Sequence, residues 1–311
     1  MGYKYLFGPI PSRRLGISLG VDLVPHKVCN LNCIYCESGK TTAHTNTRKE
    51  YIPTKDIIAE LDDYLSEKPE LDYITFSGAG EPTLHSGIGE ILQFIKSSYP
   101  AYKTALITNS LLLSDAEVRQ EVLAVDLILP SLDTASQEVF LQMNKPFKGL
   151  NIQDVIAGLI EFSGLFQGEM WLEYFVIPGI NDQEKELELI KKAVIQINPD
   201  RLQINTLDRP GTQSDIEVAS FEQLSFIQQY LLPVKSEIIA RTALKKHLDT
   251  LKQDFQSTII QAITRRPCNM DDLEKILGLP TSEVELLVKA LILQGIIVKE
   301  KQNKDTFFKL P

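Results

Sequence analysis

Cys29, Cys33 and Cys36 stand in a C-x3-C-x2-C spacing. Thiolates this close together can hold three corners of a [4Fe-4S] cube and leave the fourth iron without a protein ligand, open to a small molecule. The same trio admits other chemistry. Zinc takes four ligands, and His26, three positions before Cys29, would complete a site of three cysteines and one histidine. A disulfide framework fits poorly, because four cysteines in 311 residues are sparse for a secreted scaffold and no signal-peptide pattern is read ahead of them. The remaining cysteine, Cys268, lies far downstream and reads as a small buried hydrophobe.

The run Cys29-Asn30-Leu31-Asn32-Cys33-Ile34-Tyr35-Cys36 resembles the signature of the radical S-adenosylmethionine (radical SAM) superfamily, including the aromatic residue before the third cysteine. The longer stretch Gly8-Pro9-Ile10-Pro11-Ser12-Arg13-Arg14-Leu15-Gly16 through Gly20-Val21-Asp22-Leu23 is similar to the branch grouped with the tRNA wyosine synthases. The resemblance spans about residues 1 to 235. It implies a [4Fe-4S] cluster on the three cysteines, S-adenosylmethionine (SAM) on the open iron, and an external electron donor such as a flavodoxin or ferredoxin. A wyosine synthase itself is not implied: the archaeal enzymes of that type hold a second cluster on further cysteines, and only Cys268 is left here.

Such chemistry needs a scaffold. Short β-branched runs alternate with amphipathic stretches, the order of a parallel sheet wrapped by helices. Strands are expected at Ile17–Val24, Tyr73–Ser77, Thr104–Thr108, Leu127–Leu132, Met170–Ile177 and Arg201–Leu207. Helices are expected at Thr54–Ser66, Ile88–Ser98, Ser114–Leu123, Ile152–Leu165, Asp182–Ile197 and Phe221–Leu232. Six such units fit an open, partial (β/α)6 barrel of radical SAM type, in which loops after the strand C-termini build the site. A doubly wound open sheet is the alternative that the same alternation permits.

Residues at those strand ends are the site candidates. In Ser77-Gly78-Ala79-Gly80-Glu81-Pro82-Thr83, two glycines let the backbone pass close to a ligand, and the stretch resembles the superfamily's Gly-Gly-Glu element with Ala79 in place of one glycine. The resemblance gives Glu81 the ammonium of SAM as its partner. It also puts Asn109 and Ser131 near the ribose or methionine carboxylate, with Asp133 shaping the same pocket. Val176-Ile177-Pro178-Gly179-Ile180-Asn181-Asp182 resembles the adenine-packing element, in which the strand edge beside Gly179 would let backbone groups reach the purine while Ile177 and Ile180 cover its face; Asn181 or Asp182 would equally serve as a helix N-cap. Asn205 and Arg209 are expected at the barrel mouth, where a guanidinium fork could hold a substrate carboxylate or phosphate, with Arg13 and Arg14 able to join them. Ordinary salt bridges are the plainer reading of these arginines.

The alternation stops near Ala240, which divides the chain into a barrel at 1–240 and a linker helix with a small domain at 241–311. Arg241–Arg265, Met270–Leu277 and Ser282–Gln294 read as helices, with a turn at Gly278-Leu279-Pro280. Two β-runs around a polar tip at Lys301–Asp305 complete a winged-helix pattern. Eight basic and eight acidic residues balance over 254–311, whereas DNA-reading modules are usually basic. A partner-contact or substrate-positioning role is expected of it, alongside nucleic-acid binding and a purely structural role.

Composition bounds the rest. A net charge of -9 argues against sequence-independent affinity for nucleic-acid backbones. With 43% hydrophobic residues but no bilayer-length apolar run, a cytoplasmic protein with a substantial core is expected. The functional expectation is an enzyme that makes a 5′-deoxyadenosyl radical and takes hydrogen from a tRNA, a peptide or a small metabolite. The alternative is a non-enzymatic iron-sulfur or zinc redox regulator that uses the winged helix to bind nucleic acid.

Overall fold

A computed structural model describes residues 3–12, 14–78, 80–240, 255–264, 267–279, 281–302 and 305–311. Arg13, Ala79, Pro280, most of the expected 241–265 helix and the centre of the 301–305 tip lie outside the described residues. The chain divides into two compact units, residues 1–240 and 241–311.

The first unit is built on one eight-stranded sheet. It contains β1 (Leu6–Ser12), β2 (Gly16–Val21), β5 (Tyr73–Phe76), β6 (Lys103–Thr108), β7 (Leu127–Pro130), β8 (Glu169–Phe175), β9 (Arg201–Asn205) and β10 (Ser236–Ile238), in that spatial order. A separate two-stranded sheet joins β3 (Val28–Cys29) to β4 (Ala43–His44). β1 and β2 are antiparallel; every later pair in the large sheet is parallel. Spatial order follows chain order without reversal, and this decides between the two expected architectures. A doubly wound sheet reverses direction at a switch point, whereas right-handed crossovers in unreversed order put every helix on one face and curl the sheet around the other. The unit is a partial barrel of mixed α/β class.

The helices of that outer layer are α1 (Thr54–Ser66), α2 (Ile88–Ser98), α3 (Ala116–Val122), α4 (Gln137–Met143), α5 (Ile152–Leu165), α6 (Glu184–Ile197) and α7 (Phe221–Tyr230). Their apolar stripes face the sheet. Ile57, Leu61 and Leu65 of α1, and Ile88, Ile91, Leu92 and Ile95 of α2, are fully buried at helical spacing. Asp115, Ser136, Asn151 and Ser220 accept from backbone amides at the starts of α3, α4, α5 and α7.

In the second unit a helix over 255–264 (α8) precedes α9 (Met270–Leu277), α10 (Thr281–Leu293) and the antiparallel hairpin β11 (Val298–Gln302) and β12 (Asp305–Lys309). Cys268, only 1% exposed, packs among Ile259, Leu273, Leu291 and Phe308, and its backbone bridges to Phe308.

Candidate functional site

The cysteine segment leaves the C-terminal end of the first parallel strand, β2, and is pinned by backbone rather than by its sulfurs. Cys29 closes β3, and the residues after α4 hold the next turn: Asn32 donates to Asn144 O at 3.0 Å and Ile34 to Met143 O at 3.0 Å. On the other flank, Thr212 Oγ1 donates to Ile34 O at 2.7 Å and Gln213 N to the same oxygen at 3.1 Å. Gly211 makes this contact feasible, since a Cβ there would lie 2.9 Å from Tyr35 Cα. Cys29, Cys33 and Cys36 carry no disulfide.

All three cysteines line one cavity of about 710 Å³ at the strand C-termini, within the roughly 300–1,000 Å³ typical of small-molecule pockets. Each sulfur has its own side-chain donor. Asn109 Nδ2 lies 3.6 Å from Cys29 Sγ, Asn144 Nδ2 lies 3.6 Å from Cys33 Sγ, and Lys27 Nζ lies 3.0 Å from Cys36 Sγ. N–H groups aimed at sulfur favour thiolate and tune an iron-sulfur centre. In the metal-free protein the thiols are nevertheless reluctant acids: burial, then the Glu81 charge, pushes Cys29 up to about 12, and burial followed by Asp133 pushes Cys33 up further, although the Asn144 donor opposes the rise. Among the described residues no three His, Cys, Asp or Glu side chains converge on a single ion. A cube places each thiolate on a different iron, so sulfurs around a cavity suit it better than they suit one zinc. Asn144 Oδ1, in the same wall, is buried with no partner among the described residues.

Gly78, Gly80, Glu81, Asn109, Ser131 and Asp133 line this cavity with the cysteines. Gly80 lets its strand end pass under the cysteine segment, because a Cβ would stand 2.3 Å from Val28 O. Glu81 is 3% exposed and heavily bonded. Its Oε1 accepts from Thr83 N (3.1 Å), Thr83 Oγ1 (2.6 Å) and Thr108 Oγ1 (2.6 Å), and among the described residues Oε2 accepts from Asn109 N alone (2.8 Å). Burial raises its pKa and those donors oppose the rise. Ser131 N donates to Thr108 O at 2.9 Å and Ser110 Oγ donates to Ser131 O at 2.8 Å.

Asp133 joins the cavity wall to the cysteine segment. It accepts from Tyr35 Oη, from Asn144 Nδ2 at 2.8 Å and from Phe175 N at 3.2 Å, while the Tyr35 ring stacks on Phe175 at 4.2 Å. Burial pushes its carboxyl up to about 6 against those donors. The folded chain therefore keeps this proton to higher pH than the unfolded chain, so the site's contribution to stability is complete below about pH 4 and is lost as pH rises through about 6. Asp133→Asn is expected to remove that decline, worth about 2 to 3 kcal/mol, from the denaturant midpoints of the metal-free protein. A variant whose pH profile parallels the native one would show that the carboxyl ionises normally.

The other candidates are placed elsewhere. Ile177 and Gly179 line a second cavity of about 560 Å³ together with Ile34 of the cysteine segment, not the cavity of the cysteines themselves. Asn181 is no helix cap: α6 starts after Gln183, and Asn181 instead accepts from Ile177 N and donates to Asp133 O, at 2.8 and 2.7 Å. Asn205 ends β9, where Oδ1 accepts from Thr206 N at 3.0 Å. Arg209 is 78% exposed, with its guanidinium 3.9 Å from Glu37, the residue after Cys36. Arg14 does not join it. Its backbone precedes β2, and its guanidinium bonds to Glu173 at 2.5 Å and Gln203 at 3.2 Å, the ion pair of the plainer reading. Lys27, Asn144 and the Tyr35 hydroxyl were not signalled by the motif, since each acts through a partner that only folding brings near.

Comparison with known proteins agrees with this geometry. Residues 23–190 match the Radical SAM superfamily. The UPF0026 protein of Helicobacter pylori strain J99 is 32% identical over 88% of this chain and 87% of its own. The GTPase Obg of Brachyspira hyodysenteriae is 35% identical over 96% of this chain, which spans only 44% of that protein. In fold, a radical SAM methyltransferase from Sphaerobacter thermophilus superposes with a TM-score of 0.55 at 15% identity, covering 72% of this chain and 66% of that one. Among the described residues no helix is long and apolar enough to cross a membrane. With three cysteines around one cavity on a partial barrel, and a family match over more than half its length, the chain belongs to the radical SAM superfamily, whose cofactors are a [4Fe-4S] cluster and SAM.

Proposed function

We propose that this chain cleaves SAM reductively and uses the resulting radical to take hydrogen from a second substrate. When bound and reduced, the cluster supplies one electron that breaks the sulfonium C–S bond, giving methionine and a 5′-deoxyadenosyl radical. Cys29, Cys33 and Cys36 would hold the iron, and a flavodoxin or ferredoxin-type protein would deliver the electron. Glu81 Oε2, with a single donor among the described residues, has a lone pair left for the ammonium of SAM. Asn109 and Ser131, which line the same cavity, would serve the ribose hydroxyls or the methionine carboxylate, and Asp133 would shape that wall. Ile177 and Gly179 would pack the purine from the adjoining cavity. The buried walls keep water and stray hydrogen donors away. The observation that carries this reading is the sharing of one cavity by the cysteines and the polar strand-end residues.

The decisive experiment is anaerobic. Reduced, iron-loaded protein incubated with SAM alone is expected to release 5′-deoxyadenosine, and its absence with a fully loaded, reduced cluster would rule the reading out.

Asn205 and Arg209 are assigned to the second substrate, a tRNA, a peptide or a small metabolite. Arg209 is exposed and its ion pair is long, so Arg209→Ala is expected to leave the melting temperature, iron content and substrate-free SAM cleavage unchanged while impairing product formation. Equal loss of both reactions would move Arg209 to the SAM pocket. The second unit has the helix and hairpin order of a winged helix, and we assign it to positioning a substrate or partner. A nucleic-acid regulator is less well supported, because α10 carries Glu283 and Glu285 against a single base, Lys289.

A further inference from the structure

Lys27 precedes the cysteine motif and belongs to no part of the scheme above. It is 4% exposed, so its ammonium is buried, and it lines the cavity of the cysteines. Its backbone is fixed in an uncommon state: φ is +60° in a residue with a side chain, and its carbonyl accepts from Thr42 N and Ala43 N at 3.2 and 3.1 Å. Strain of this kind persists where the surroundings require one side-chain direction. Here that direction leads to sulfur. Among the described residues the ammonium has one hydrogen-bond acceptor, Cys36 Sγ at 3.0 Å, and no carboxylate within ion-pair distance. The sulfur it faces is one of the three that would hold the cluster, so the ammonium stands beside the place where the cluster's negative charge would lie.

The three sulfurs are therefore not equivalent. Cys29 and Cys33 take their side-chain hydrogen bonds from neutral amides, whereas Cys36 takes its own from a cation. Reduction adds one electron to the cluster, and a fixed cation beside one corner stabilises the more negative form. We propose that Lys27 is the counter-charge of the cluster, a positioning residue that raises its reduction potential so that a one-electron donor can load it. This rests on the cluster reading given above.

The test uses three variants of the full-length, iron-loaded protein: Lys27→Met, Lys27→Gln, which keeps an N–H donor without the charge, and Lys27→Arg. Iron and sulfide contents are measured first, then the midpoint potential by redox titration followed by EPR. The two neutral variants are expected to shift the reduced-to-oxidised ratio at a fixed potential at least tenfold towards oxidised, a fall of about 59 mV or more for one electron. The arginine variant should stay close to the native value. Loss of iron from both neutral variants, with retention in the arginine variant, would also support the counter-charge. A loaded Gln variant titrating with the native protein would overturn it and leave the cluster standing. Failure of the native protein to assemble a cluster would instead remove the reading beneath it.

Discussion

Cys29→Ala, Cys33→Ala and Cys36→Ala are each expected to bring reconstituted iron and sulfide from about four of each per chain to background, while Cys268→Ala keeps the native content. The size of the effect follows from geometry. Three thiolates line the cavity and the fourth cysteine belongs to the core of the other unit, so no spare sulfur can replace a lost corner. The variants should still fold. Bonds from Asn32 N and Ile34 N to the carbonyls of Asn144 and Met143, and from Thr212 Oγ1 and Gln213 N to Ile34 O, hold the segment, and none of them involves sulfur. Matched circular-dichroism melts of the metal-free variants would establish that the loss is one of ligation. A stoichiometric zinc without sulfide in the native protein would replace the cube by a three-thiolate zinc site completed by a fourth ligand such as His26.

How much of this was legible beforehand depended on whether the signal was local. The helices Thr54–Ser66, Ile88–Ser98 and Ile152–Leu165 have the bounds that their apolar periodicity predicts. β1 escaped notice because Leu6–Ser12 carries two prolines and a glycine, a composition that excludes a central strand; it pairs on one side only, as the sheet's edge. β10 has three residues and α4 seven, too few for either period to show. The site divides in the same way. The cysteines and Glu81 announce themselves by spacing, but the donor to Cys33 comes from Asn144, 111 positions away. Arg14 takes the plainer of its two readings, an ion pair, and its partner Glu173 is likewise far away in sequence.

Glu81→Ala is expected to weaken SAM binding at least tenfold and to destabilise the metal-free fold by about 1 to 3 kcal/mol. Two effects are expected because the carboxylate has two kinds of partner. Inside the protein it joins the end of β5 to the end of β6 through Thr83, Thr108 and Asn109, and truncation strands those donors in a buried wall. Among the described residues Oε2 has one donor and therefore capacity for an ammonium. A charge-assisted bond of that kind contributes about 1.5 to 3 kcal/mol, and every 1.4 kcal/mol or so is a factor of about ten in affinity. Denaturation of the metal-free protein measures the first effect, and the SAM-dependent change in the EPR spectrum of the reduced cluster measures the second. The substitution Thr108→Val separates them: it removes one donor to Oε1 without touching Oε2, so it should lower stability and leave SAM affinity near the native value. If Glu81→Ala lost stability but bound SAM as the native protein does, the carboxylate would be a tie between strands alone, and the ammonium would have to find its acceptors elsewhere in the cavity.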